Sequence, residues 1–156
     1  MNYYNEIKDK LVKNETYKKV KDYSKNRSDL NAYFEVGRLI VEAQGGEKRA
    51  KYGNKLIKEY SLKLTNELGK GYNISNLKRM RQFYLFIQKG ATVSHQLSWS
   101  HYVELIKLDD INSINYYVDI INIHNIGVRE LRERIKSNEY ERIGYKEELG
   151  KIGRAS

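Results

Sequence analysis

No proline occurs anywhere in the 156 residues. Proline both removes a backbone donor and clashes with the preceding helical turn, so its absence leaves helices free to run uninterrupted. Apolar residues repeat at three- and four-residue steps through most of the chain, the spacing that puts them on one helix face. These two features predict an all-α fold, a helical bundle with no sheet beyond a minor hairpin near 89–97.

The stripe Tyr4, Ile7, Leu11 predicts a short first helix. A longer one should start at Glu15 or Thr16 and reach residue 44, following Val20, Tyr23, Arg27, Leu30, Phe34, Gly37 and Val41 until Gly45-Gly46 stops it. Arg27 and Gly37 interrupt that seam, which favours a bundle helix over a free coiled coil. A third helix is expected over 48–68, burying Tyr52, Leu56, Tyr60, Leu64 and Leu68, and ending at Gly69 and Gly71. Asn73 reads as the N-cap of a helix over 74–88. A loop follows to Leu97, then Ser98 caps Trp99–Leu108 and Asp109 or Asp110 starts Ile111–His124. Val128, Leu131 and Ile135 mark a last helix ending near Asn138. Residues 1–143 therefore read as one helical domain, and the polar, glycine-punctuated 144–156 as a tail or linker.

Forty per cent of the residues are apolar, enough for a core in a chain of this length. There is no cysteine, hence no disulfide or thiolate chemistry, in keeping with a cytoplasmic protein. The charged N-terminus does not read as a secretory signal, and no apolar run approaches the roughly 18 residues of a membrane span.

The net charge of +9 is concentrated. Residues 48–89 hold 11 basic side chains against Glu59 and Glu67, while the rest balances at 18 basic and 18 acidic. A neutral scaffold with one positive segment is the footprint of a polyanion binder, although a solvated helix surface gives the same composition. Within that segment, two helices joined by a glycine turn have the layout of a helix-turn-helix unit at about 48–88, with or without a wing. On the second helix Leu77, Met80, Tyr84 and Ile87 form a docking face. Lys78, Arg79 and Gln82 lie roughly opposite, placed for groove contacts, since Arg pairs with guanine and Gln with adenine. Lys70, Lys55 and Lys58 are phosphate candidates, and Asn76 is a secondary one. Arg81 falls at the margin of the docking face, where it could snorkel or pair with a carboxylate. Leu85 and Phe86 point off the stripe, towards a later helix or a partner. A dimerisation or protein-interaction module using helix 15–44 and the Leu85/Phe86 surface is therefore the alternative to DNA binding.

Catalysis has no visible seat. His95, His101 and His124 lack ligand spacing, so neither a metal nor another cofactor is expected. Glu6-Ile7-Lys8 matches the E-x-K of a nuclease site but sits in a helical pattern. Phosphate-cradling motifs are missing.

The strings YGNKLIKEYSLKLTNELGKGYNISNLKRMRQFY (52–84), LSWSHYVELI (97–106) and VRELRERIKSNEYERI (128–143), with the Y/F-x-x-G-R-x-I element at Tyr33–Ile40, resemble the N-terminal domain of the YhcG-like bacterial family. The resemblance implies a helix-turn-helix or winged-helix module that contacts DNA, double-stranded by expectation, and precedes a PD-(D/E)XK nuclease domain. A nuclease domain or subunit, or a second copy, are the other partners it implies. Without proline this chain has no Pro-Asp element, so cleavage does not carry over. The family's Trp-Ser before the last helix is Ile126-Gly127 here, while Trp99, His101 and Tyr102 match a motif whose reading is packing.

Overall fold

A computed structural model of the chain describes residues 2–17, 24–47 and 53–143. Among them seven helices follow in order: α1 (Tyr3–Tyr17), α2 (Ser24–Ala43), α3 (Lys55–Leu68), α4 (Ile74–Gln88), α5 (Trp99–Leu105), α6 (Ile111–His124) and α7 (Val128–Lys136). A further helical turn occupies 139–143, and no strand occurs among the described residues. The all-α bundle expected from periodicity is the observed fold, and 89–97 is a loop without a hairpin.

Several helix boundaries differ from the periodic reading. Glu15 and Thr16 belong to α1, and the long helix begins at Ser24; Val20 and Tyr23 lie outside the described residues. The third helix begins at Lys55, not Lys48, and Tyr52 also lies outside the described residues. Within α3 the buried face is Ile57, Tyr60, Ser61 and Leu64, whereas Leu56 and Leu68 are only half-buried. A row built purely of i+4 steps drifts by about 40° per step, so its ends leave the contact face. The helix after Ser98 ends at Leu105, three residues early.

The α2–α4 pair is the most extensive helix contact and forms the spine of the bundle. On one side α1 and α3 pack Ile7, Leu11, Ile57 and Leu64 against Val36, Ile40, Leu77 and Met80. On the other, Phe83 and Phe86 meet Tyr102, Leu105, Ile114, Val118 and Leu131 from α5, α6 and α7. Gly37 is where the spine closes: a Cβ there would lie 2.2 Å from the Met80 carbonyl oxygen and 2.9 Å from Tyr84 Cβ. The glycine that looked like a flaw in the seam is the crossing point. Trp99 links the two sides, its ring 4.8 Å from Tyr33 and 5.3 Å from Phe83 between centroids.

Polar side chains fasten the ends. Ser98 caps α5, and His101 returns the bond through Nδ1, which accepts from the Ser98 N–H at 3.0 Å. That fixes the tautomer, so His101 Nε2–H donates to the Ile126 carbonyl at 3.0 Å and ties α5 to the start of α7. Tyr102 Oη donates to the Thr92 carbonyl at 2.9 Å and accepts from the Ser94 N–H at 2.8 Å. Its burial pushes the phenol up to about 12. Tyr102→Phe should leave both backbone groups unpaired and cost about 1–3 kcal/mol. Urea denaturation measures the loss, and hydrogen exchange should speed up first across the 91–97 loop.

Candidate nucleic-acid interface

The turn between α3 and α4 is built from backbone that only glycine adopts readily: Gly69 and Gly71 have φ of 94° and 112°. Ser61 on α3 donates to the Tyr72 carbonyl at 2.9 Å and holds the turn against its own helix. Asn73 then caps α4, its side chain accepting from the Asn76 N–H at 2.8 Å. The local signals read from the sequence are all present in the geometry. Helix α3, the turn and α4 together have the order of a helix-turn-helix, yet α4 docks chiefly on α2 and not on α3.

Helix α4 is wrapped on most of its circumference. Leu77, Met80, Phe83, Leu85 and Phe86 are all buried, because α4 lies between the two sides of the core. Leu85 packs beside Val41 of α2, and Phe86 against the α5–α7 side. They are therefore not the exposed apolar surface expected of them, which removes the Leu85/Phe86 part of the dimerisation reading and leaves its helix 15–44 part untested. The division into docking face and outward face holds at Leu77 and Met80, while Tyr84 and Ile87 are half-buried.

What remains open on α4 is a cleft of roughly 410 Å³. Lys78, Arg79 and Gln82 line it, with Arg81 and Phe86 from the same helix. Val103, Ile106, Lys107 and Asp109, from α5 and the connection to α6, form its other wall. The three residues expected to face a ligand are thus brought together, half-buried in a concave surface and not on a ridge. The α5–α6 wall, including Lys107, could not have been placed there from local sequence patterns.

The electrostatics of the segment are one-sided. Glu59 pairs with Lys63 at 3.3 Å, and Glu67 is taken by Lys8 of α1, which holds its carboxyl below the usual range. Both acids of 48–89 are therefore engaged. Lys55, Lys58, Lys70, Lys78 and Arg79 form no ion pair with any described residue. Lys107 of the wall shares Glu104 with Arg132 of α7, at 3.2 and 2.8 Å.

Lys55, Lys58 and Lys70 are exposed on α3 and the turn; none of them lines the cleft. Asn76 has another occupation. Its Nδ2 donates to the Gly71 carbonyl at 2.8 Å and its Oδ1 accepts from Arg79 Nη1 at 2.8 Å. It orients Arg79 and braces the turn. Arg81 is 9% exposed, and the carboxylate partner considered for it is absent among the described residues. Its Nη1 donates to Gln44 Oε1 at 3.2 Å, and the Gly53 carbonyl lies 3.5 Å away.

Glu6-Ile7-Lys8 lies within α1. Side chains at i and i+2 share a face on a strand but diverge by about 200° on a helix. Ile7 is in the core and Lys8 reaches Glu67 on α3, so this Glu and Lys do not converge on one site. Among the described residues no three His, Asp or Glu side chains gather at metal-binding distance. No helix among them is long and apolar enough to cross a membrane.

The sequence profile of the DUF1016 N-terminal domain matches residues 6–142, from within α1 through the end of α7. A protein of Escherichia coli (strain K12) named "Putative nuclease YhcG" is 53% identical over 57 residues, 36% of this chain and 15% of that protein. No solved structure matches the chain.

Proposed function

The chain belongs to the DUF1016 N-terminal domain family, and we propose that it serves there as a DNA-binding module that targets a nuclease of the YhcG kind. The carrying observation is the α4 cleft, where Lys78, Arg79 and Gln82 converge while the acids of the segment are paired elsewhere. Cations without counter-charges hold condensed positive potential at the surface, and DNA phosphates release counterions when they take that place. Double-stranded DNA is the expected ligand. One backbone passes the cleft, where Lys78 and Arg79 reach phosphates or base edges, and Lys55, Lys58 and Lys70 meet phosphates along α3 and the turn. The helix-turn-helix order of α3 and α4 supports this reading.

Fluorescence anisotropy with a labelled duplex tests the reading across a salt series. Contact with about five phosphates gives a slope of log affinity against log salt of roughly −4 to −5. Retention that does not change with salt, or no binding at low salt, ends it.

The module itself is expected to leave DNA intact with magnesium or manganese, because Glu6 and Lys8 diverge on α1 and no acid cluster accompanies them among the described residues. Cleavage of supercoiled plasmid by rigorously purified protein, lost on Glu6→Gln, is the contrary result.

A further inference from the structure

Arg81 is nine-tenths buried and yet lines the same cleft as Lys78, Arg79 and Gln82. A guanidinium has five donors, and among the described residues only Nη1 of this one is engaged, on two neutral oxygens at 3.2 and 3.5 Å. Gln44 also donates to the Gly53 carbonyl, so the acceptor that Arg81 shares is already occupied by a second donor. No described carboxylate pairs with the guanidinium, and the stretch 48–52 next to Gly53 (Lys-Arg-Ala-Lys-Tyr) contains none to supply.

Desolvating a cation without a counter-charge is costly, and buried cations are normally paired. The burial is enough to push the Arg81 guanidinium below its usual range. An anion entering the cleft supplies the missing charge, and a planar fork presenting Nε and Nη2 matches two phosphate oxygens.

We propose that Arg81 is the phosphate anchor of the α4 cleft, its Nε and Nη2, which no described residue engages, pairing with one backbone phosphate while Nη1 stays tied to Gln44. The exposed cations then attract DNA and the buried one fixes its register. This rests on the DNA-binding reading of the same cleft and names a residue that the outward-face pattern assigns to packing.

The test begins with the unaltered protein, labelled with 15N-arginine and titrated with a 16-base-pair duplex. The Arg81 Nε–H resonance should shift and saturate together with those of the α4 face. A duplex that shifts Lys78 and Arg79 but leaves Arg81 unmoved overturns the anchor and leaves the DNA reading standing. A duplex that shifts nothing defeats that reading itself. Arg81→Lys keeps the charge but loses the fork, so duplex affinity should fall about tenfold with the salt slope unchanged. Arg81→Gln should weaken binding further and flatten the slope by about 0.9, the share of one phosphate. Wild-type affinity in Arg81→Lys overturns the proposal. Should Arg81→Gln not fold, the titration of the unaltered protein decides alone.

Discussion

Gly37→Ala should destabilise the protein by about 2–3 kcal/mol, although alanine is the better helix former by nearly 1 kcal/mol. The new Cβ meets the Met80 carbonyl oxygen at 2.2 Å and its carbon at 2.9 Å. Those are backbone atoms inside α4, so no rotamer change relieves the overlap. The helices must separate along the contact that holds both halves of the core together. For a chain of this size each kcal/mol corresponds to roughly 2–4 °C in melting temperature. A drop of about 5–10 °C by calorimetry is therefore expected, with weaker DNA binding as α4 shifts relative to the α5–α6 wall. Gly127→Ser is the contrasting case. Gly127 caps α7 with φ −82° and ψ 175°, forms no side-chain bond, and has nothing within 4 Å of a built Cβ. A serine there should be tolerated and stabilise by a few tenths of a kcal/mol. An unchanged melting point for Gly37→Ala would mean that α2 and α4 do not cross as closely as described.

The contrast between these glycines shows where the sequence is readable. Features that act within a few residues were legible: the Asn73, Ser98 and Asp110 caps, the positive-φ glycines after α3, and Ile111–His124 to the residue. Gly37 was visible only as a gap in an apolar row, because its partner, Met80, lies 43 positions away and local periodicity carries no information about it. The same limit applies to Leu85 and Phe86. Read against one docking stripe they point outward, but α4 is covered from two sides, and Phe86 meets helices that follow it in the chain. Lys78, Arg79 and Gln82 were legible as a face because they share one helix. That the face is a cleft depends on Val103, Ile106, Lys107 and Asp109, and so on the tertiary fold. Arg81 needed both kinds of information, since its lack of a carboxylate partner among the described residues is a property of everything packed around it.

Replacing Lys78 and Arg79 together with Ala should weaken duplex binding about a hundredfold or more. Each loses a charge-assisted bond worth about 1.5–3 kcal/mol, and about 1.4 kcal/mol is a factor of ten. If both reach phosphates, the salt slope should flatten by about two units, because each neutralised phosphate contributes about 0.9. If one reads a base edge instead, the slope changes by less, and discrimination between bases falls by about 1–3 kcal/mol at a single position. The fold should survive. Neither side chain belongs to the core, neither is ion-paired with a described residue, and the cap of α4 uses the side chain of Asn73 with the backbone of Asn76. Asn76→Ala separates positioning from contact. It frees Arg79 from its 2.8 Å tether and removes the bond to Gly71, without deleting any cation. Binding should weaken by less than in the double variant, with the slope kept. A double variant that stays folded and binds with wild-type affinity and slope would take α4 out of the interface. The DNA contacts would then fall to Lys55, Lys58 and Lys70, exposed on α3 and the turn.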